Sequence, residues 1–153
     1  MKKIRDITIL LWVFSLLVGC TPQAVKIDVS NLADMLYKEL AFEDQLAETN
    51  ESMIALLYGI TKDDVVEFKV YLSAGATTEE IAVFACANEE LAARVKEKAE
   101  KRLSAQKNSV KSYKPEELER LDEAILQIEG TYVILCVSSD KEKAQAIIDN
   151  AMT

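Results

Sequence analysis

From residue 66 the apolar period of the chain switches between two values, and this switching limits what the chain can fold into. Val66, Phe68, Val70 and Leu72 alternate with Glu67, Lys69 and Tyr71, the period that sends successive side chains to opposite faces of a strand. Ser73-Ala74-Gly75-Ala76 supplies a turn, and the short apolar stretch 80–87 reads as a second strand. Residues 88–112 then take up helical spacing. Ala92, Val95, Ala99, Leu103 and Val110 fall in one narrow stripe, with Gln106 inside it. Tyr113-Lys114-Pro115 breaks that helix, and Pro115 can begin a brief helical turn through Leu118. Residues 124–129 and 131–137 are strands around Gly130, a tight hairpin, and 140–152 is a closing amphipathic helix.

Before this region two helices are expected. One covers 28–40, with Val29, Leu32, Leu36 and Leu40 on one face and Asp28 or Ser30 as cap; the other covers 51–58, between Asn50 as cap and Gly59 as stop. The expected fold is therefore α+β: a four-stranded antiparallel sheet, ordered β-β-α-β-β-α in sequence, with helices on one face and two helices in front. VFAC at 83–86 and VILC at 133–136 echo one another and hint at an internal duplication.

The first twenty residues carry an address. A basic start, Lys2-Lys3-Ile4-Arg5, leads into an apolar run over 7–18, about 18 Å as a helix and too short for a hydrocarbon core of about 30 Å. A basic n-region, a short apolar h-region and a small residue describe a secretory signal. Leu17-Val18-Gly19-Cys20 resembles a bacterial lipobox. The resemblance implies cleavage between Gly19 and Cys20, with Cys20 lipidated; two acyl chains anchor stably where one does not. The expected organisation is a signal peptide over 1–19, a lipidated tether over 20–27 and one domain over 28–153, on the outer face of the cytoplasmic membrane. Removing 1–19 takes away a net +2 and leaves 134 residues carrying −10, which disfavours nucleic acid and close contact with anionic lipid.

Few catalytic chemistries fit this composition. Histidine is absent, which removes the Ser-His-Asp triad, the Cys-His dyad and every His-containing zinc site. No cofactor or metal signature is present in the sequence. Acidic pairs occur at Asp63-Asp64, Glu79-Glu80, Glu89-Glu90, Glu116-Glu117 and Asp122-Glu123, but adjacent residues diverge on strands and helices alike and build no carboxylate dyad. Cys86 and Cys136 admit three readings: buried thiols, a disulfide, or reactive groups. No histidine is available to activate them. Residues 94–114 carry eight bases and two acids, a net +6 on both flanks of the apolar stripe, which reads as a solvated flank with Glu90–Arg94 and Glu97–Lys101 pairs.

Ala76-Thr77-Thr78-Glu79-Glu80-Ile81-Ala82-Val83-Phe84, Lys101-Arg102-Leu103 with Gln106, Tyr113-Lys114-Pro115-Glu116 and Gly130-Thr131-Tyr132-Val133 carry a resemblance. From about residue 64 the chain resembles a family of small uncharacterised lipoproteins of Gram-positive bacteria, a domain of unknown function. The resemblance implies an anchored extracytoplasmic domain and transfers no catalytic residue. Arg102, Gln106, Tyr113 and Lys114 are the candidate polar site. The expected function is a binding or accessory lipoprotein with a protein or small-ligand partner. The alternative is a carboxylate-dependent cell-wall enzyme.

Overall fold

The computed structural model describes residues 26–152. The signal peptide, Gly19 and Cys20 lie outside the described residues. Helix α1 (Val29–Glu39) is capped by Asp28, whose carboxylate accepts the Asn31 amide at 2.8 Å. Strand β1 (Leu46–Glu48) follows, and then α2 (Glu51–Tyr58), which starts at Asn50 and ends at Gly59 with φ 68°, where a side chain would be strained. Strands β2 (Glu67–Ser73) and β3 (Glu80–Ala85) form a hairpin. The long α3 (Glu89–Val110) is capped by Asn88 and carries Glu89 and Glu90 against its dipole. Helix α4 (Glu117–Asp122), the hairpin of β4 (Ile125–Glu129) and β5 (Tyr132–Val137), and α5 (Lys141–Ala151) complete the chain.

The strands make one antiparallel sheet in the order β1-β2-β3-β5-β4. It has five strands where four were expected. The added edge, β1, has three residues and a single buried side chain, Leu46, too little to show a period.

Helices cover both faces of the sheet, not one. Ile81, Val83 and Ala85 of β3 and Ile134 and Cys136 of β5 point to a core closed by α1 and α5. Ala82 and Phe84, with Val133, Leu135 and Val137, point to a second core closed by α2, α3 and α4. The central strands are apolar on both sides, and exposing either side to water would cost about 25 cal/mol per Å². On β2 the polar side is covered too. Lys69 reaches Asp34 of α1 at 2.8 Å, and the Tyr71 hydroxyl donates to Asp34 at 2.6 Å.

Ile27, assigned to the tether by sequence, is buried in the first core. The VFAC and VILC echo is not a structural repeat. Strands β2 and β4 flank the central β3–β5 pair while α3 and α5 pack on opposite faces, and no rotation relates two such β-β-α units.

Cys86 and Cys136 are buried free thiols in different cores, which rules out the disulfide. Cys136 pairs in register with Ile81, so Cys86, five residues further on and just past the end of β3, lies roughly 16 Å away at about 3.3 Å per residue. Burial and then the Asp64 charge push the Cys86 thiol up to about 11, and burial pushes Cys136 up to about 12, so neither is a thiolate at neutral pH.

Phe84 is fully buried and meets the Tyr58 ring edge-on at 5.5 Å. Phe84→Ala should lower the unfolding free energy by about 3–5 kcal/mol in urea titration, whereas Leu56→Ala, on an exposed position of α2, should change it by about 0.5 or less.

Candidate functional site

Strand β3 begins where the chain turns in from the β2–β3 loop, and its first residues carry charge into the interior. Thr78, Glu79 and Glu80 are all buried. Because neighbours on an extended chain diverge, the two carboxylates serve different elements. Glu80 turns to the α2–α3 side. Its carboxylate accepts Arg102 Nε at 2.8 Å, Arg102 Nη2 at 2.6 Å and Gln106 Nε2 at 3.2 Å, and also the Tyr58 hydroxyl. The Arg102 guanidinium lies over the Tyr58 ring at 4.9 Å, so α2 and α3 are joined through one buried ion pair. Burial lifts the Glu80 carboxyl above its ordinary value, against the pull of Arg102 and Gln106.

Glu79 turns the other way. It accepts the amides of Glu43 and Asp44 at 3.0 Å and the Thr77 hydroxyl at 2.9 Å. Asp44 in turn accepts the Ser73 hydroxyl at 2.5 Å and the Ala74 amide at 3.0 Å, which fixes the start of the turn. Thr78 donates both its amide and its hydroxyl to Glu117 of α4 at 2.8 Å. Arg120 bonds both oxygens of Glu117, at 2.8 and 2.6 Å, and also meets Glu43. Three consecutive residues thus hold α2, α3, α4 and the loop before β1.

Beneath the β2–β3 turn these contacts leave a cleft of about 420 Å³, within the usual size range of small-molecule sites. Met53, Leu57 and Leu72 form an apolar wall, and Thr77, Arg102 and Gln106 bring polar groups to it.

Two of the four residues expected at a polar site meet there. Arg102 and Gln106, one helical turn apart on α3, share Glu80. Lys114 is drawn instead to the Ala76 carbonyl and lies 3.6 Å from Glu117. Tyr113 is 70% exposed and joins no part of the cluster. Sequence reading did not place Tyr58, Thr78, Glu79, Glu80 or Glu117 in the site. The available signal was reciprocal: a carboxylate opening the apolar run of β3, and an arginine and a glutamine beside or within the apolar stripe of α3.

Another buried acid organises the far side of α3. Asp64 meets Lys98 at 2.7 Å and Arg94 at 3.2 Å and accepts the Thr61 amide at 3.0 Å. Arg94 therefore faces Asp64 rather than Glu90, whereas Glu97–Lys101 forms as a surface pair at 2.7 Å. Among the described residues no group of three His, Cys, Asp or Glu side chains is placed to hold a metal ion, and no helix is long and apolar enough to cross a membrane.

Burial pushes the Asp64 carboxyl up, but Lys98, the Thr61 amide and Arg94 outweigh it and leave it below its ordinary value. Burial likewise opposes the Thr78 bonds and Arg120 at Glu117, and the bonds again win. Each group binds protons more weakly folded than unfolded. Its stabilisation is therefore present above the unfolded value of about 4 and is lost as pH falls through the folded value. Glu80 has the opposite sign: its contribution is present below the unfolded value and declines as pH rises through the folded one. Unfolding midpoints measured from pH 7 to 2 should fall below about pH 4. In Asp64→Asn/Glu117→Gln they should start lower and fall less.

The family model for a domain of unknown function, DUF4358, matches residues 38–138. The chain matches no curated protein and no solved structure. The match takes in the whole of the cleft and of the second core, while most of α1 and all of α5, which close the first core, lie outside it; the chain belongs to the DUF4358 family.

Proposed function

We propose that this DUF4358 domain is a binding or accessory lipoprotein on the outer face of the bacterial cytoplasmic membrane, held by lipid on Cys20, with the cleft beside Arg102 and Gln106 as its ligand site. The observation that carries the binding role is the cleft itself: about 420 Å³, apolar on one wall and polar on the other, over side chains already locked by Glu80. The anchor rests on the basic start, the short apolar run and Leu17-Val18-Gly19-Cys20. A charge of −10 after cleavage favours a domain that stands off an anionic bilayer and leaves the lipid to hold it. The Gram-positive origin implied by the sequence resemblance belongs to the same proposal.

The alternative, a carboxylate-dependent cell-wall enzyme, has less support. General acid–base work needs a carboxyl group free to exchange a proton with the substrate. Glu79 and Glu80 border the cleft, yet their oxygens are occupied by backbone amides, hydroxyls, Gln106 and the Arg102 fork. They also point to different sides of the strand, whereas Glu48 stands exposed at the rim.

In cells, Cys20→Ser should abolish acyl labelling and move the protein out of the membrane fraction; undiminished labelling would overturn the anchor. For the cleft, the lipidated chain in detergent should gain several degrees of thermal midpoint from a ligand present at a hundred times its dissociation constant, a stabilisation of about 2.7 kcal/mol. Leu57→Glu, in the apolar wall, should cancel the gain. A broad library of metabolites and cell-wall fragments without any shift would move the binding role from the cleft to a protein surface.

A further inference from the structure

Taking the cleft as the binding site, we infer that its ligand is an uncharged peptide-type amide with an apolar side chain. The N–H would donate to Gln106 Oε1, the C=O would accept from Arg102 Nη1, and the side chain would lie on Met53, Leu57 and Leu72.

The polar wall is half used. Gln106 donates through Nε2 to Glu80 at 3.2 Å, and its Oε1 is sealed from solvent without a hydrogen-bond partner. The amide cannot be reversed, because its carbonyl would then face the Glu80 carboxylate. An acceptor left unmade in this way favours any ligand that brings a donor. The terminal amide torsion is soft, so Oε1 can tilt toward the cleft that Gln106 lines.

Arg102 complements it. Nε and Nη2 are committed to Glu80, while Nη1 has no partner among the described residues and is not among the sealed atoms. An acceptor and a donor therefore stand one helical turn apart, on residues that share Glu80. An amide presents both complementary groups, and a carboxylate or phosphate presents acceptors alone.

Charge argues the same way. Arg102 is neutralised by Glu80 at 2.6 Å, and Glu48 adds negative charge at the rim. An anion would meet no uncompensated cation there. The opposite wall is apolar, which suits the side chain of a residue such as leucine.

The test is isothermal titration of the lipidated full chain in detergent with N-acetyl-leucine N-methylamide. Parallel titrations use the two esters in which each N–H in turn is replaced by oxygen, and N-acetyl-leucinate. The amide should bind, and one of the two esters should lose about tenfold or more, because it leaves Gln106 Oε1 unpaired. Gln106→Met should weaken the amide and erase the difference between amide and ester. The carboxylate should bind more weakly than the amide. Equal binding of the amide and both esters would overturn the inference, as would tighter binding of the carboxylate. If no peptide binds while another compound class shifts the wild-type midpoint and not that of Leu57→Glu, the amide inference fails and the cleft stands as a binding site. If nothing binds the cleft, both fail.

Discussion

A carboxylate placed at the start of an apolar central strand must find a counter-charge or lose its ionisation, and at Glu80 that requirement shapes one whole face of the domain. Arg102 answers it with a two-pronged bond from the middle of α3, Gln106 adds an amide one turn later, and Tyr58 closes over the pair from α2. Desolvating two charges is expensive, and well-packed apolar residues could do as well for stability alone. What the pair adds is geometry. It sets which turn of α3 lies over β3 and holds open the cleft that α2, α3 and the β2–β3 turn enclose.

The neighbouring residues extend the same logic to the opposite side of the chain. Glu79 gathers two backbone amides of the loop before β1, and Thr78 fastens α4 through Glu117 and Arg120. Antiparallel sheets commonly leave one face to water, but here the central strands are buried on both sides and each core has its own helices. The entry of β3 is therefore where α2, α3 and α4 of one layer and the loop before β1 meet one short segment of chain. A binding site placed there draws on those elements for its rigidity.

Most element positions were readable because each had local causes. Asp28, Asn50, Asn88 and Asp140 cap the helices, Gly59 stops one of them, and Gly130, at φ 54°, turns the last hairpin. The second helical layer was harder to see. The alternation of β2 suggested a wet face, yet Lys69 and Tyr71 are covered by α1 through Asp34. Strand β1 owes its existence to pairing with β2 rather than to its own three residues. In the site, Arg102 and Gln106 stood out as polar groups beside or within an apolar stripe. Their partner did not, because Glu80 sits in an acidic pair of the kind that opens helices, and its partners on α2 and α3 lie 22 to 26 residues away in sequence. Tyr113 marked a chain break and not a site.

The central claim is that Glu80 and Arg102 act as one unit. A double-mutant cycle with Glu80→Gln and Arg102→Met, read by urea unfolding at pH 7, tests it most directly. Each single change leaves a buried polar group without its partner, so the double variant should be about 2 kcal/mol or more better than the sum of the two losses. Losses that add to within about 0.5 kcal/mol would mean the two residues are merely adjacent, and the account of the cleft as a site built on their pairing would not stand.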